Sequence, residues 1–287
     1  MMLSGLITVG LMMSDSFIAK GAAIEKIPQT FQFTEGPVWT RHGTLLFTDI
    51  PASKIYEWNG KTIRVDRDPS NNANGLTIDQ VGNIYSCEHG TRTVSVQGKY
   101  GKVIVIASKF GGKKLNSPND IAIYRKGGLL LFTDPSYGIQ PAQAELDHKS
   151  VYMLDLKTRE LTQYYKGKDM PNGVVFSPKE DFVYVADSGA GLLEKFTFDR
   201  KPAGAPIWTV PAPGADGIRV DVDGDIWAAC SDGVRVYSPE GKLLETIKFP
   251  EQPANLCFGE DGKTLFVTAR TGVYHVRVTK QGVMPGF

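Results

Sequence analysis

Six residues with a side-chain oxygen open six similar phrases in this 287-residue chain. They are Glu35, Asn74, Asn119, Asn172, Asp216 and Asn255, and each stands at the head of a short apolar run. Asp49, Glu88, Asp134 and Asp187 close the first four phrases with further carboxylates. If the fold gathers these groups, like charges crowd together and each opposes ionisation of the next. A divalent cation relieves that crowding and reverses the local pKa logic. Carboxylate and amide oxygens suit a hard ion such as Ca2+ or Mg2+, and a set without His or Cys points away from a dedicated zinc or copper centre. If only three or four of the six reach the ion, coordination positions stay open for a reacting molecule.

The elements that must deliver these oxygens can be read from one phrase, NGVVFSPKEDFVYVAD from Asn172. Val174 to Phe176 form one run, Ser177 to Asp181 a polar turn with Pro178, and Phe182 to Ala186 a return run of strand formers. The phrase recurs with a period near 40–45 residues, the length of four short strands, one blade of a propeller. Long 3.6-periodic segments are missing, so helix is scarce. Six phrases predict an all-β, six-bladed β-propeller. The last phrase is followed by only one further strand-like run, and AAIEKIPQ (22–29) supplies the missing outer strand, closing the ring with both termini. The inner strands of a propeller run the same way, so the six leading residues meet at one mouth, and the return strands bring Asp49, Glu88, Asp134 and Asp187 beside them. Asn-Gly and Asp-Gly are also turn signals, which leaves a purely architectural reading of the repeat. Glu35, and Asn119 followed by Asp120, fall outside that reading.

The totals bound the rest. A net charge of +1, from 32 basic and 31 acidic residues, carries no nucleic-acid footprint. Cys87, Cys230 and Cys257 form no CxxC pair and are expected as buried thiols, with Cys87 and Cys230 on opposite blades and unbridged. No Gly-x-Ser-x-Gly elbow is present, which argues against a serine hydrolase. Residues 3–13, LSGLITVGLMM, are too short to span a bilayer and have the length of a signal-peptide core, with GAA (21–23) as a cleavage site. No Lys or Arg precedes them. A periplasmic or secreted location and a cytoplasmic one both stay open, as does an apolar arm (1–23) packed on a propeller of residues 24–287. Oligomeric state is not legible.

The phrases FTEGPVW, CEHGTR, KLNSPNDI, LLFTDPSYG, PNGV and ADGIRVDVDGDIWAA resemble the gluconolactonase/regucalcin (SMP-30) family, its bacterial gluconolactonase-like branch in particular. The resemblance implies a six-bladed propeller that opens small-molecule lactones with one divalent cation, Ca2+ first, with Mg2+, Mn2+ or Zn2+ as alternatives. It puts the metal ligands on Glu35, Asn172 and Asp216, with Asn119 near metal and substrate. Where the animal proteins carry a sugar-gripping Arg two residues before that Asn, this chain has Ser117.

The expected reaction is attack of water on a metal-polarised carbonyl, with Asp216 as the first candidate base, as the resemblance implies, and Asp134 as the second from its place beside the ring. His89 and Arg92 follow Glu88 at the same mouth and either orient substrate or pack in their loop. Tyr137, in the DPSYG loop, is expected to line the pocket. Two rival functions use the same frame: organophosphate hydrolysis at the same site, and a propeller that only binds a ligand or protein.

Overall fold

The computed structural model describes residues 16–287. They form six four-stranded antiparallel sheets and a short side hairpin, Lys109–Phe110 with Lys113–Lys114. The innermost strands are Thr34–Trp39, Ala73–Ile78, Ile121–Ile123, Pro171–Phe176, Ile218–Val220 and Pro253–Gly259. Each touches the next around the ring, and the last touches the first. The sixth sheet takes its outer strand from Glu25–Lys26, which pairs with Gly272–Arg277 through Glu25 opposite His275. The ring is thus closed by strands from both ends of the chain, and a closed ring has fewer open edges.

The core lies between blades. Six apolar clusters fill the six gaps between neighbouring sheets. One joins Tyr184, Ala186 and Leu193 of the fourth blade to Ile218, Val220, Ile226 and Tyr237 of the fifth. Inner and second strands are buried along nearly their whole length, whereas the outermost strand of the second blade exposes Val103, Ile104 and Val105. Helix is limited among the described residues to one 3-10 turn, Pro141–Gln143, and none of their helices could cross a membrane. The three cysteines are buried and unpaired.

The apolar stretch 3–13 lies outside the described residues. From residue 16 onward the chain is already packed: Phe17 is buried, with its ring edge-on to Trp227 at 5.3 Å, and Ile18 bridges Val278. Residues 16–23 thus lie packed against the propeller. At the opposite terminus, Val283 donates its amide to the Val220 carbonyl, and Val283 and Pro285 cover the end of the central channel away from the mouth.

Candidate functional site

The residues at the mouth sit in irregular strand starts, not in hairpin turns. Register slips at Glu35/Val38, Ala73/Leu76, Pro171/Val174 and Pro253/Asn255, so the inner strand bulges where it enters the sheet. The glycine after the leading residue has a different task from the one a turn would give it. A Cβ on Gly36 would collide with the Asn74 carbonyl, one on Gly75 with that of Asn119, and one on Gly173 with that of Asp216. Neighbouring inner strands approach so closely around the channel that no side chain fits. The third and sixth blades carry Asp120 and Leu256 in that place.

Hydrogen bonding fixes which atoms point where. Glu35 Oε2 accepts from the Gly36 amide at 2.7 Å and from Asn255 Nδ2 at 2.9 Å. Asn255 Oδ1 accepts from the Leu256 amide at 2.8 Å, so its amide group can face only one way. Glu35 Oε1 has no protein donor among the described residues. Ser188 Oγ donates to the Ala215 carbonyl and must therefore accept from Asn172 Nδ2, at 2.9 Å. That leaves Asn172 Oδ1 buried with no donor. Asn74 repeats the arrangement: its Nδ2 meets His89 Nε2 at 3.3 Å, and its Oδ1 is buried without a partner. Burial holds His89 down at about 4, so the ring is neutral near pH 7 and its Nε2 accepts from Asn74 Nδ2.

The acids at the mouth are held in strongly perturbed states. Burial pushes Glu35 up to about 7; Asp120 adds to the rise, while the Gly36 and Asn255 bonds and Arg219 oppose it. Asp216 is enclosed by protein yet keeps part of its surface open at the mouth, and burial followed by the charges of Glu35 and Asp120 raises it well above the usual carboxylate range. The Asn172 side chain lies beside it and eases the rise. Glu35, Asn172 and Asp216 are thus brought together from blades one, four and five. Asn119 is buried beside them, its carbonyl accepting from the Gly75 amide at 2.8 Å. Tyr137 is 48% exposed, with its hydroxyl near Ser188, Asn172 and Asp216.

Two expected site residues have other tasks. Asp134 is fully buried, with Oδ2 accepting from the Asn116 amide at 2.8 Å and Oδ1 from the Ser117 amide at 2.7 Å. Both oxygens are engaged behind the ring, so it is not placed to take a proton from water in the mouth. Asp49 and Asp187 do the same for Gln32 and Phe33 and for Asp169 and Met170, always three and two residues before the leading residue. In the second blade the longer Glu88 collects side-chain donors instead, from Arg67 and Asn71 among others. Arg92 is likewise structural: Nε donates to the Leu115 carbonyl at 2.6 Å and Nη1 to that of Gln143 at 3.0 Å, tying two loops together.

Sequence reasoning passed over Asp120, Arg219, Ser188 and Arg270. Asp120 Oδ2 accepts from Arg219 Nη1 at 3.3 Å and from the Val174 amide, and Oδ1 is buried without a donor. The signal was present, because Asp120 stands where four other blades have glycine. Ser188 and Arg270 share the position of His89, one residue past the second strand.

No group of three or more His, Cys, Asp or Glu placed to hold a metal occurs among the described residues. The mouth instead pairs two carboxylates with donor-free amide oxygens, a set that fits a hard cation. A closed six-bladed propeller with an oxygen-lined mouth is the class these features define. Within it, residues 33–271 match the SMP-30/Gluconolactonase/LRE-like region, and the chain belongs to that family. The gluconolactonase of Zymomonas mobilis is 30% identical, with 93% of this chain and 85% of the relative covered. Regucalcin of Oryctolagus cuniculus is 29% identical over 86% of each. A solved gluconolactonase structure from Xanthomonas campestris, 29% identical, superposes with a TM-score of 0.85 over 91% of each chain.

Proposed function

We propose that this protein is a divalent-metal-dependent lactonase. Two of its relatives carry the name gluconolactonase, and the observation that carries the metal reading is Asn172 Oδ1. It is a buried carbonyl oxygen turned to the mouth by Ser188 and left without a donor, beside two carboxylates that resist ionising. An unpartnered buried acceptor costs about 1–3 kcal/mol, and a cation removes that cost. Glu35, Asn172, Asp216 and Asn119 would hold the ion, Ca2+ first, with Mg2+, Mn2+ or Zn2+ as alternatives. When bound, the ion supplies Lewis acidity that polarises the lactone carbonyl and stabilises charge on its oxygen.

The chain's residues do the rest. Asp216, partly open to the mouth, takes the proton from the attacking water, a contribution typically of about 10²–10⁴-fold. Neutral His89 and the Tyr137 hydroxyl border the space a lactone would enter and orient its polar edge. The leaving alkoxide takes up a proton as the ring opens to a hydroxy acid.

The test is metal-stripped protein, reloaded ion by ion and assayed for proton release on sugar and aliphatic lactones, with a fluorophosphate in parallel. Ion-dependent lactone opening is the expected result. Fluorophosphate turnover without lactone turnover, or activity indifferent to metal, overturns the reading.

A further inference from the structure

One residue follows the second strand of each blade at the mouth: Ile50, His89, Pro135, Ser188, Ser231 and Arg270. Two of them touch the ring directly, His89 through Asn74 and Ser188 through Asn172. Arg270 holds the same position in the last blade. Its carbonyl accepts from the Thr34 amide at 2.8 Å, which fixes its backbone beside Glu35. Its guanidinium stands 5.9 Å over the Phe33 ring and donates Nη2 to Gln252 Oε1 at 2.6 Å. The residue is exposed, and among the described residues no carboxylate pairs with it. Its positive charge reaches Asp216.

Other cations on this face are engaged. Arg67 is paired with Glu88, and Arg92 with Glu145 and two backbone carbonyls, although each keeps a buried guanidinium nitrogen without a partner. Ser117 brings no charge, and its hydroxyl accepts from the Gly138 amide at 2.9 Å. In the ion-loaded site, the negative charges of Glu35, Asp120 and Asp216 are matched by Arg219 and a dication. Arg270 then stands at the rim with no carboxylate partner among the described residues, held on an aromatic face with donors still free.

The geometry points to Arg270 as a specificity-determining residue for lactones that carry an anionic group, carboxylate or phosphate, away from the ring ester. The inference rests on the lactonase reading and narrows its substrate class. A planar guanidinium at the rim binds such a group through charge-assisted hydrogen bonds while the ester lies over the ring of oxygens.

The experiment compares kcat/KM for glucono-δ-lactone, which is neutral, with glucaro-lactone and 6-phosphogluconolactone, in wild type, Arg270→Gln and Arg270→Lys. Wild type is expected to favour one of the two anions, and which one identifies the group. Arg270→Gln is expected to lower the anion-to-neutral ratio by about 10- to 100-fold, the size of one charge-assisted bond, mainly through KM. Arg270→Lys is expected to restore part of it. Thermal melts check that the variants fold. A wild-type ratio near one, or a ratio unmoved in Arg270→Gln, overturns the inference while leaving lactone hydrolysis standing. If wild type opens none of the three, calorimetry on Ca2+-loaded protein with glucarate and with 6-phosphogluconate, each against gluconate, still decides the anion site. Equal affinities in both comparisons, or a difference that survives Arg270→Gln, overturn it.

Discussion

Glu35 and Asp216 stand one strand away from Asp49, Asp134 and Asp187, and the two sets of carboxylates meet opposite fates. Each acid of the second set receives two backbone amides from the segment that leads into its own blade. Those donors satisfy the oxygens and lock the entry of the inner strand. The acids of the first set lie where that strand bulges toward the channel. Glu35 keeps one oxygen without a protein donor, and Asp216 faces Glu35 and Asp120 across the channel. Counting acids near a mouth therefore says little. What separates scaffold from site is how many donors the protein itself directs at each oxygen.

The widest gap between the two sets should open on neutralising them. Asp216→Asn and Glu35→Gln are expected to lower kcat/KM for the best lactone by about 10³-fold or more, from loss of ion binding and, for Asp216, of the base. In metal-free protein above pH 7, Glu35→Gln should also raise the melting temperature, because it removes a buried charge that its neighbours oppose. Wild-type activity in either variant would erase the distinction on which the site rests.

Asp187→Asn should move the other observable. Its carboxylate accepts from the amides of Asp169, Met170 and Ala190. An amide side chain turns a donor toward one of them, at a cost of about 2–3 kcal/mol. That corresponds to roughly 4–12 °C in Tm for a chain of this size. The folded fraction should keep kcat within about threefold, as expected for a group outside the reacting set. A collapse of kcat with an unchanged melt would place Asp187 among the working acids and break the comparison.

The architecture was legible because the inner hairpin is the most buried part of each blade and so the most constrained in sequence. Its repeat supplied the blade count and the ring of leading oxygens, and the unfilled last blade supplied the closure by Glu25–Lys26. The tasks of individual acids were not legible. Asp134 and Asp216 differ through bonds to amides eighteen and seventeen residues upstream of Asp134, and a backbone amide leaves no trace in residue type. The repeated glycine was open to misreading for a related reason, since a close approach between strands and a tight turn select the same residue. Ser188 and Arg270 could have been found, because they occupy the repeat position of His89.

The smallest expected effect is a slope, and it separates the two sets without a mutation. In metal-free protein Glu35 and Asp134 keep a proton up to about pH 7, and Asp216 beyond the usual range, with burial the leading cause in each. In the unfolded chain these groups release it near pH 4. Between those values the folded state binds more protons than the unfolded one, so stability falls as pH rises. His89 acts in the opposite sense between about pH 4 and 6.5, being neutral in the fold and charged in the unfolded chain, but it is one group against these three and against Asp66, Asp221 and Asp225, which burial also raises. Carboxylates held low, such as Glu251 and Asp232, act only below about pH 4.5 and lie outside this window. Saturating Ca2+ selects the ionised forms of Glu35 and Asp216, so the stabilisation it adds should grow with pH across the range from about 5 to 7. The contribution of Asp134, which holds no ion, should persist and should vanish in Asp134→Asn. Urea unfolding at pH 5, 6 and 7, with and without Ca2+, measures all three arms. Parallel pH slopes in the two conditions would mean that the ring acids stay protonated whether or not Ca2+ is present, and the distinction between a working ring and a structural tier would fail on its own ground.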